Sequence, residues 1–190
     1  APGAGYAVNP NGISTALDVV VRDSAVISNG NPALVSFAVA HGATDAPTVD
    51  VRVRSGGPLL VNNASYKDVT GYLNVPPSFY QLEVISADST VVVNTWIANL
   101  SALGGSGAFV FASGFLNPAA NNGGPSFGLY AALPTGQVVA FPVRTTGNFQ
   151  LLHNAADPTL DSVDVYVNGA RFFDNFRFRS ATPIIQGTLT

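Results

Sequence analysis

The chain has 190 residues, enough for one large domain or one and a half small ones. Only 10% of them are charged, against roughly 25% in ordinary soluble domains, and the net charge is -3. A weakly acidic chain lacks the concentrated positive field that phosphate recognition needs, so nucleic acid is not an expected partner. The absence of Cys and Met removes disulfides, thiolate metal sites and thiol nucleophiles.

The opening Ala1-Pro2-Gly3-Ala4 has the small residues found downstream of a signal-peptidase cut. Export to the cell surface is the expectation, with the signal peptide removed. No apolar run approaches the roughly 18 residues of a spanning helix, so no membrane span is expected. Residues 1–33 read as a flexible leader that includes a strand over Ala16–Arg22. In that strand Leu17, Val19 and Val21 share one face.

Further along, short Val- and Phe-rich runs bounded by Gly, Pro and Asn predict strands. They fall at Val35–Ala40, Val49–Arg54, Tyr80–Ile85, Val91–Ile97, Ala108–Ser113, Phe127–Ala132 and Val138–Val143. Asn11-Gly12, Asn29-Gly30, Gly56-Gly57-Pro58 and Asn168-Gly169 supply the positive φ values of tight turns.

An internal repeat organises these elements. Phe37, His41, Asp45, Pro47, Val49, Asp50 and Val51 return as Phe149, His153, Asp157, Pro158, Val163, Asp164 and Val165, with a two-residue insertion in the second copy. Asn63 to Tyr66 likewise returns as Asn175 to Phe178. The copies differ in length. Residues 34–145 suffice for a complete immunoglobulin-like β-sandwich, whereas 146–190 hold only three or four strands, too few to close two packed sheets. The expected fold is therefore all-β: an immunoglobulin-like β-sandwich followed by a partial second sandwich that needs an added strand.

An added strand satisfies an open sheet edge and fills its groove with alternate side chains. The expected donor residues are Leu17, Val19 and Val21, and the expected acceptor groove is Val163, Val165, Val167, Phe172, Phe176 and Phe178. Head-to-tail addition of this kind does not close on itself and grows a homopolymer. The other sources of cover are the chain's own leader and sequence beyond Thr190.

The paired His-x-x-x-Asp-x-Pro-x-Val-Asp-Val motif resembles the bacterial exported domain of unknown function forty-three ninety-seven. Gly71–Pro76, Phe111–Pro118 and Phe127–Ala132 are similar to later parts of that family. The resemblance covers one complete copy and one truncated copy, and implies an exported, often tandem β-rich module. It implies no catalytic residue.

Each chemical constellation has a plainer reading. His41 and His153, with Asp45, Asp157, Asp50 and Asp164, provide one His per copy, short of the three or four ligands of a zinc site. They lack the nucleophile of a hydrolytic triad, and turn-tying hydrogen bonds account for them. Asp157 and Asp161 share a loop without a calcium-loop pattern. No catalytic residue, metal or cofactor is expected, and the chain is read as a non-enzyme.

Trp96, Tyr66, Tyr72, Tyr80 and Tyr130 are the candidates for a sugar platform, with Trp96 in a strand pattern that fits a core. Arg171, Arg177 and Arg179 read as a solvated strand face or a subunit contact. The expected function is a self-associating extracellular fibre or surface subunit. The alternative is a carbohydrate-binding or adhesive module of a larger cell-surface protein.

Overall fold

In the computed structural model the described residues are 5–9, 12–167 and 169–189. The leader residues Ala1–Ala4 and the first residue of two expected turns, Asn11 and Asn168, lie outside them. The chain divides into two units, Ala1–Arg144 and Thr145–Thr190.

In unit 1 the alternation of Val, Phe and Ala with polar residues builds two sheets. The first joins β1 (Val35–His41), β4 (Leu73–Val75), β7 (Gly107–Ser113), β8 (Gly128–Ala132) and β9 (Val138–Ala140) in the order β4-β1-β7-β8-β9. Its pairings are antiparallel except β1 with β7, which run parallel with Ser36 opposite Gly107 and His41 opposite Ala112. The second sheet joins β2 (Val49–Val53), β3 (Leu59–Ala64), β5 (Phe79–Ser86) and β6 (Val92–Asn99) in the antiparallel order β3-β2-β5-β6.

The inner faces pack as a sandwich. Val49, Val51, Val61, Leu82, Val84 and Trp96 of the second sheet share a core with Ala112 and Leu129 of the first. Trp96 is only 1% exposed and meets Phe127 edge-on at 5.6 Å, so it is core as its strand pattern predicts. Glu83 is buried yet compensated, because β2 presents Arg52 Nε at 2.9 Å and the residue just after β2 presents Arg54 Nε at 3.2 Å. After β9 the chain crosses to flank β6, where Pro142 O accepts from Ile97 N at 2.8 Å and Thr95 O accepts from Arg144 N at 2.7 Å.

The strand expected over Ala16–Arg22 does not form. Its residues enter no sheet, and side chains hold the segment to unit 1: Asp18 pairs with Lys67, and Arg22 Nη1 donates to Thr70 O at 2.6 Å. Further on, Ile27 O accepts from Gly107 N at 3.0 Å. A Cβ at Gly107 would collide with the Val26 carbonyl, so glycine there is what lets the segment pass.

Unit 2 contains β10 (Thr145–Phe149), β11 (Leu152–His153), β12 (Ser162–Val167), β13 (Ala170–Arg177), β14 (Ser180–Ala181) and β15 (Ile185–Leu189). They form three antiparallel two-stranded ladders, β10-β15, β11-β14 and β12-β13.

Candidate assembly site

Unit 2 repeats the first four strands of unit 1 together with several of their hydrogen bonds. In unit 1 His41 Nε2 lies 3.1 Å from Pro47 O, and in unit 2 His153 Nε2 lies 2.8 Å from Leu160 O. A carbonyl only accepts, so Nε2 carries the proton in both rings. The Asp50 carboxylate accepts from Asn63 N at 2.7 Å, as Asp164 accepts from Asn175 N at 2.9 Å. Both asparagines have φ +52°, a left-handed geometry that Asn tolerates and the carboxylate bond secures.

The ladders agree as well. Phe37 stands opposite Leu73, and Phe149 opposite Ile185. Val49 and Val51 stand opposite Ala64 and Val61 across a register shift, and Val163 and Val165 stand opposite Phe176 and Phe173 across the same shift. Thr70 exchanges bonds with Val39 through its N–H (2.8 Å) and Oγ1 (2.9 Å). Thr182 does so with Leu151 at 3.0 and 3.1 Å. Thus β10 and β11 match β1, β12 and β13 match β2 and β3, and β15 matches β4.

The two units differ in how their outer edges are covered. In unit 1 the outer edge of β2 is paired with β5, and that of β1 with β7. In unit 2 neither β12 nor β10 pairs with a second strand among the described residues, which leaves the outer row of backbone donors and acceptors on β12 open. Every buried apolar residue among those described lies in unit 1. At two inner positions unit 2 is also emptier, with Gly147 facing Gly187 where unit 1 has Val35 facing Val75.

The expected acceptor residues are gathered on this open unit. Val163 and Val165 are half-buried on β12, and Val167 is exposed at its end. On β13 Phe172 is exposed and Phe176 half-buried, and Phe178 lies just beyond it, 6.2 Å from the His153 ring. Phe173 and Phe149 escaped sequence reasoning. Phe173 stands at the centre of the aromatic cluster, 4.9 Å from Phe172 and 5.7 Å from Phe176, and Phe149 lies 6.3 Å from Phe172. The signal was available: Phe149 opens the repeat, and Phe173 falls where Val61 falls in the first copy.

The expected donor residues lie on the non-strand segment of unit 1, with Leu17 96%, Val19 74% and Val21 83% exposed. The Val19 N–H donates to the neighbouring Asp18 carboxylate at 2.8 Å.

The remaining candidates serve local structure. Asp45 accepts from Leu116 N at 2.9 Å and Asn117 N at 3.0 Å, and Asp157 caps a 3-10 turn by accepting from Thr159 N at 2.9 Å. That bond, then the Thr159 hydroxyl, holds the Asp157 carboxyl below the usual carboxylate range. Among the described residues no group of three or more His, Cys, Asp or Glu converges.

Several rings of the proposed sugar platform face side chains of their own chain. Tyr130 stacks on Phe111 at 5.5 Å, Tyr72 lies beneath Arg22 at 5.0 Å, and Tyr66 beneath Lys67 at 5.5 Å. Of the three arginines, Arg171 reaches Asp174 at 3.2 Å and Asp164 at 3.7 Å, and Arg179 covers Phe178 at 5.0 Å.

Residues 33–120 match the family model described as a domain of unknown function (DUF4397), in agreement with the resemblance drawn from the His-x-x-x-Asp motif. The match falls on the first copy and ends before β8. No curated protein and no solved structure matches the chain. No helix among the described residues is long and apolar enough to cross a membrane.

Proposed function

We propose that the protein is an extracellular, non-catalytic structural subunit that associates with copies of itself, a strand from one chain completing the second unit of the next. The observation that carries this reading is the outer edge of β12, unpaired among the described residues, whose counterpart β2 is covered by β5 in unit 1. An exposed edge beside half-covered aromatic side chains is a template for strand addition. The segment Leu17–Arg22 has the complementary properties: its apolar side chains are exposed, and it enters no sheet.

Docked along the outer edge of β12, Leu17, Val19 and Val21 would lie beside Val163 and Val165, and repetition from chain to chain would produce a fibre. The sparse charge fits a subunit whose faces are largely covered by neighbours. Glycan binding is the weaker reading, since several of the rings that would form its platform already pack on their own chain.

The test is assembly state, by sedimentation velocity and electron microscopy. The native chain should form polymers, while deletion of residues 1–26 or the substitution Val19→Asp should leave folded monomers. Polymer persisting in both variants overturns the proposal. So does native material of larger mass whose further sequence supplies the strands unit 2 lacks.

A further inference from the structure

Between the two sheets of unit 1 lies a cavity of about 340 Å³. Its walls are inner-face residues of both sheets, among them Phe37, Val51, Leu82, Val110 and Ala131. Its mouth is set by the exposed lining residues: Asn99, Ser101 and Ala102 at and just after the end of β6, and Val139, Ala140 and Pro142 on the segment that crosses to flank β6. No charged side chain lines it, and the polar side chains at its rim are Asn99 and Ser101. Asn99 Oδ1 accepts from Ser101 N at 3.2 Å and from Ser101 Oγ at 2.7 Å, which leaves the amide Nδ2 free to donate at the mouth.

A void of this kind is a site in its own right. Apolar cavities of about 150 Å³ stay dry and take up benzene, and small-molecule sites begin at about 300 Å³. The walls offer no hydrogen bond to a polar guest, which excludes a sugar from the interior. With no cation at the rim, an anionic head group gains nothing there.

We propose that this cavity binds the hydrocarbon chain of a single-chain, uncharged amphiphile, such as a monoacylglycerol, with its neutral head held by Asn99 at the mouth. The inference concerns unit 1 alone and stands apart from self-association. Ala108 and Ala131 are two of the small residues lining the space for the chain.

The experiment uses the full chain and the uncharged fluorophore N-phenyl-1-naphthylamine, followed by displacement with monodecanoylglycerol and, separately, with decanoate. The native protein should enhance fluorescence saturably. The neutral lipid should displace the probe at a concentration at least tenfold below that of the anion. Ala131→Phe, which fills the void, should weaken probe binding at least tenfold while the cooperative thermal transition persists. Ala108→Leu, nearer the rim, serves if the larger substitution does not fold. Absence of saturable binding to the native chain, equal displacement by lipid and anion, or native affinity in a folded filled variant would each overturn the proposal.

Discussion

The two units share one design for four strands and then part. In unit 1 the His-Asp-Asn hydrogen bonds shape β1 to β4, and β5 to β8 then cover the edges and seal Trp96, Val84 and Val35 from water. In unit 2 the same bonds shape the same strands, yet Leu152 stays 70% exposed and no apolar side chain is buried among the described residues. Local polar bonds therefore suffice to specify the hairpins and their register. Burial, which supplies most of the stabilisation, comes from the strands that pack on them.

The largest effect that could break this comparison is a core truncation. Trp96→Ala should lower the stability of unit 1 by about 3–5 kcal/mol, measured by denaturant unfolding followed by circular dichroism. Phe176→Ala, at an open aromatic cluster, should cost no more than about 1 kcal/mol in the monomeric chain, since little of its area leaves water there. Comparable losses at both sites would mean that unit 2 has a sealed core of its own.

A finer cut concerns the repeated carboxylate. Asp50 is buried, and its bond to Asn63 N holds a left-handed residue in place. Asp50→Ala should cost about 1.5–3 kcal/mol, as expected when a hydrogen bond to a charged group is lost. Asp164 makes the same bond in solvent, so Asp164→Ala should shift the melting temperature far less. Hydrogen exchange at the Asn63 and Asn175 amides would separate the two.

Much of this architecture was legible in the sequence, because period-two patterns mark half-buried strands and the repeated motif fixes equivalent positions. The predicted strands from Val35 through Ala132 have counterparts near their stated bounds. The failures have physical causes. Ala16–Arg22 has the alternation of a strand, but alternation creates only the propensity, and here no sheet edge accepts the segment. Leu59–Ala64 was missed because Asn62 and Asn63 break its apolar pattern. The run over Val138–Val143 is split: β9 ends at Ala140, and the chain then turns to flank β6, where Val143 bridges to Trp96. The cavity was not legible, since it depends on how far apart two sheets stand.

The smallest expected effect is a pH dependence carried by His41. Burial pushes the His41 pKa below its ordinary value, with the Pro47 carbonyl and the nearby Asp68 carboxylate only partly opposing the shift. In the unfolded chain His41 takes up a proton near pH 6.5, while in the folded state it resists doing so until lower pH. Between those two values the unfolded state binds more protons, so stability falls as the pH drops through that window and is fully present above it. Melting curves of the native chain between about pH 7.5 and 5.5, above the range in which ordinary carboxylates titrate, should show this decline. In His41→Gln, whose amide can still donate to Pro47 O, the decline should be absent. A native slope surviving in His41→Gln would place the sensitive group elsewhere.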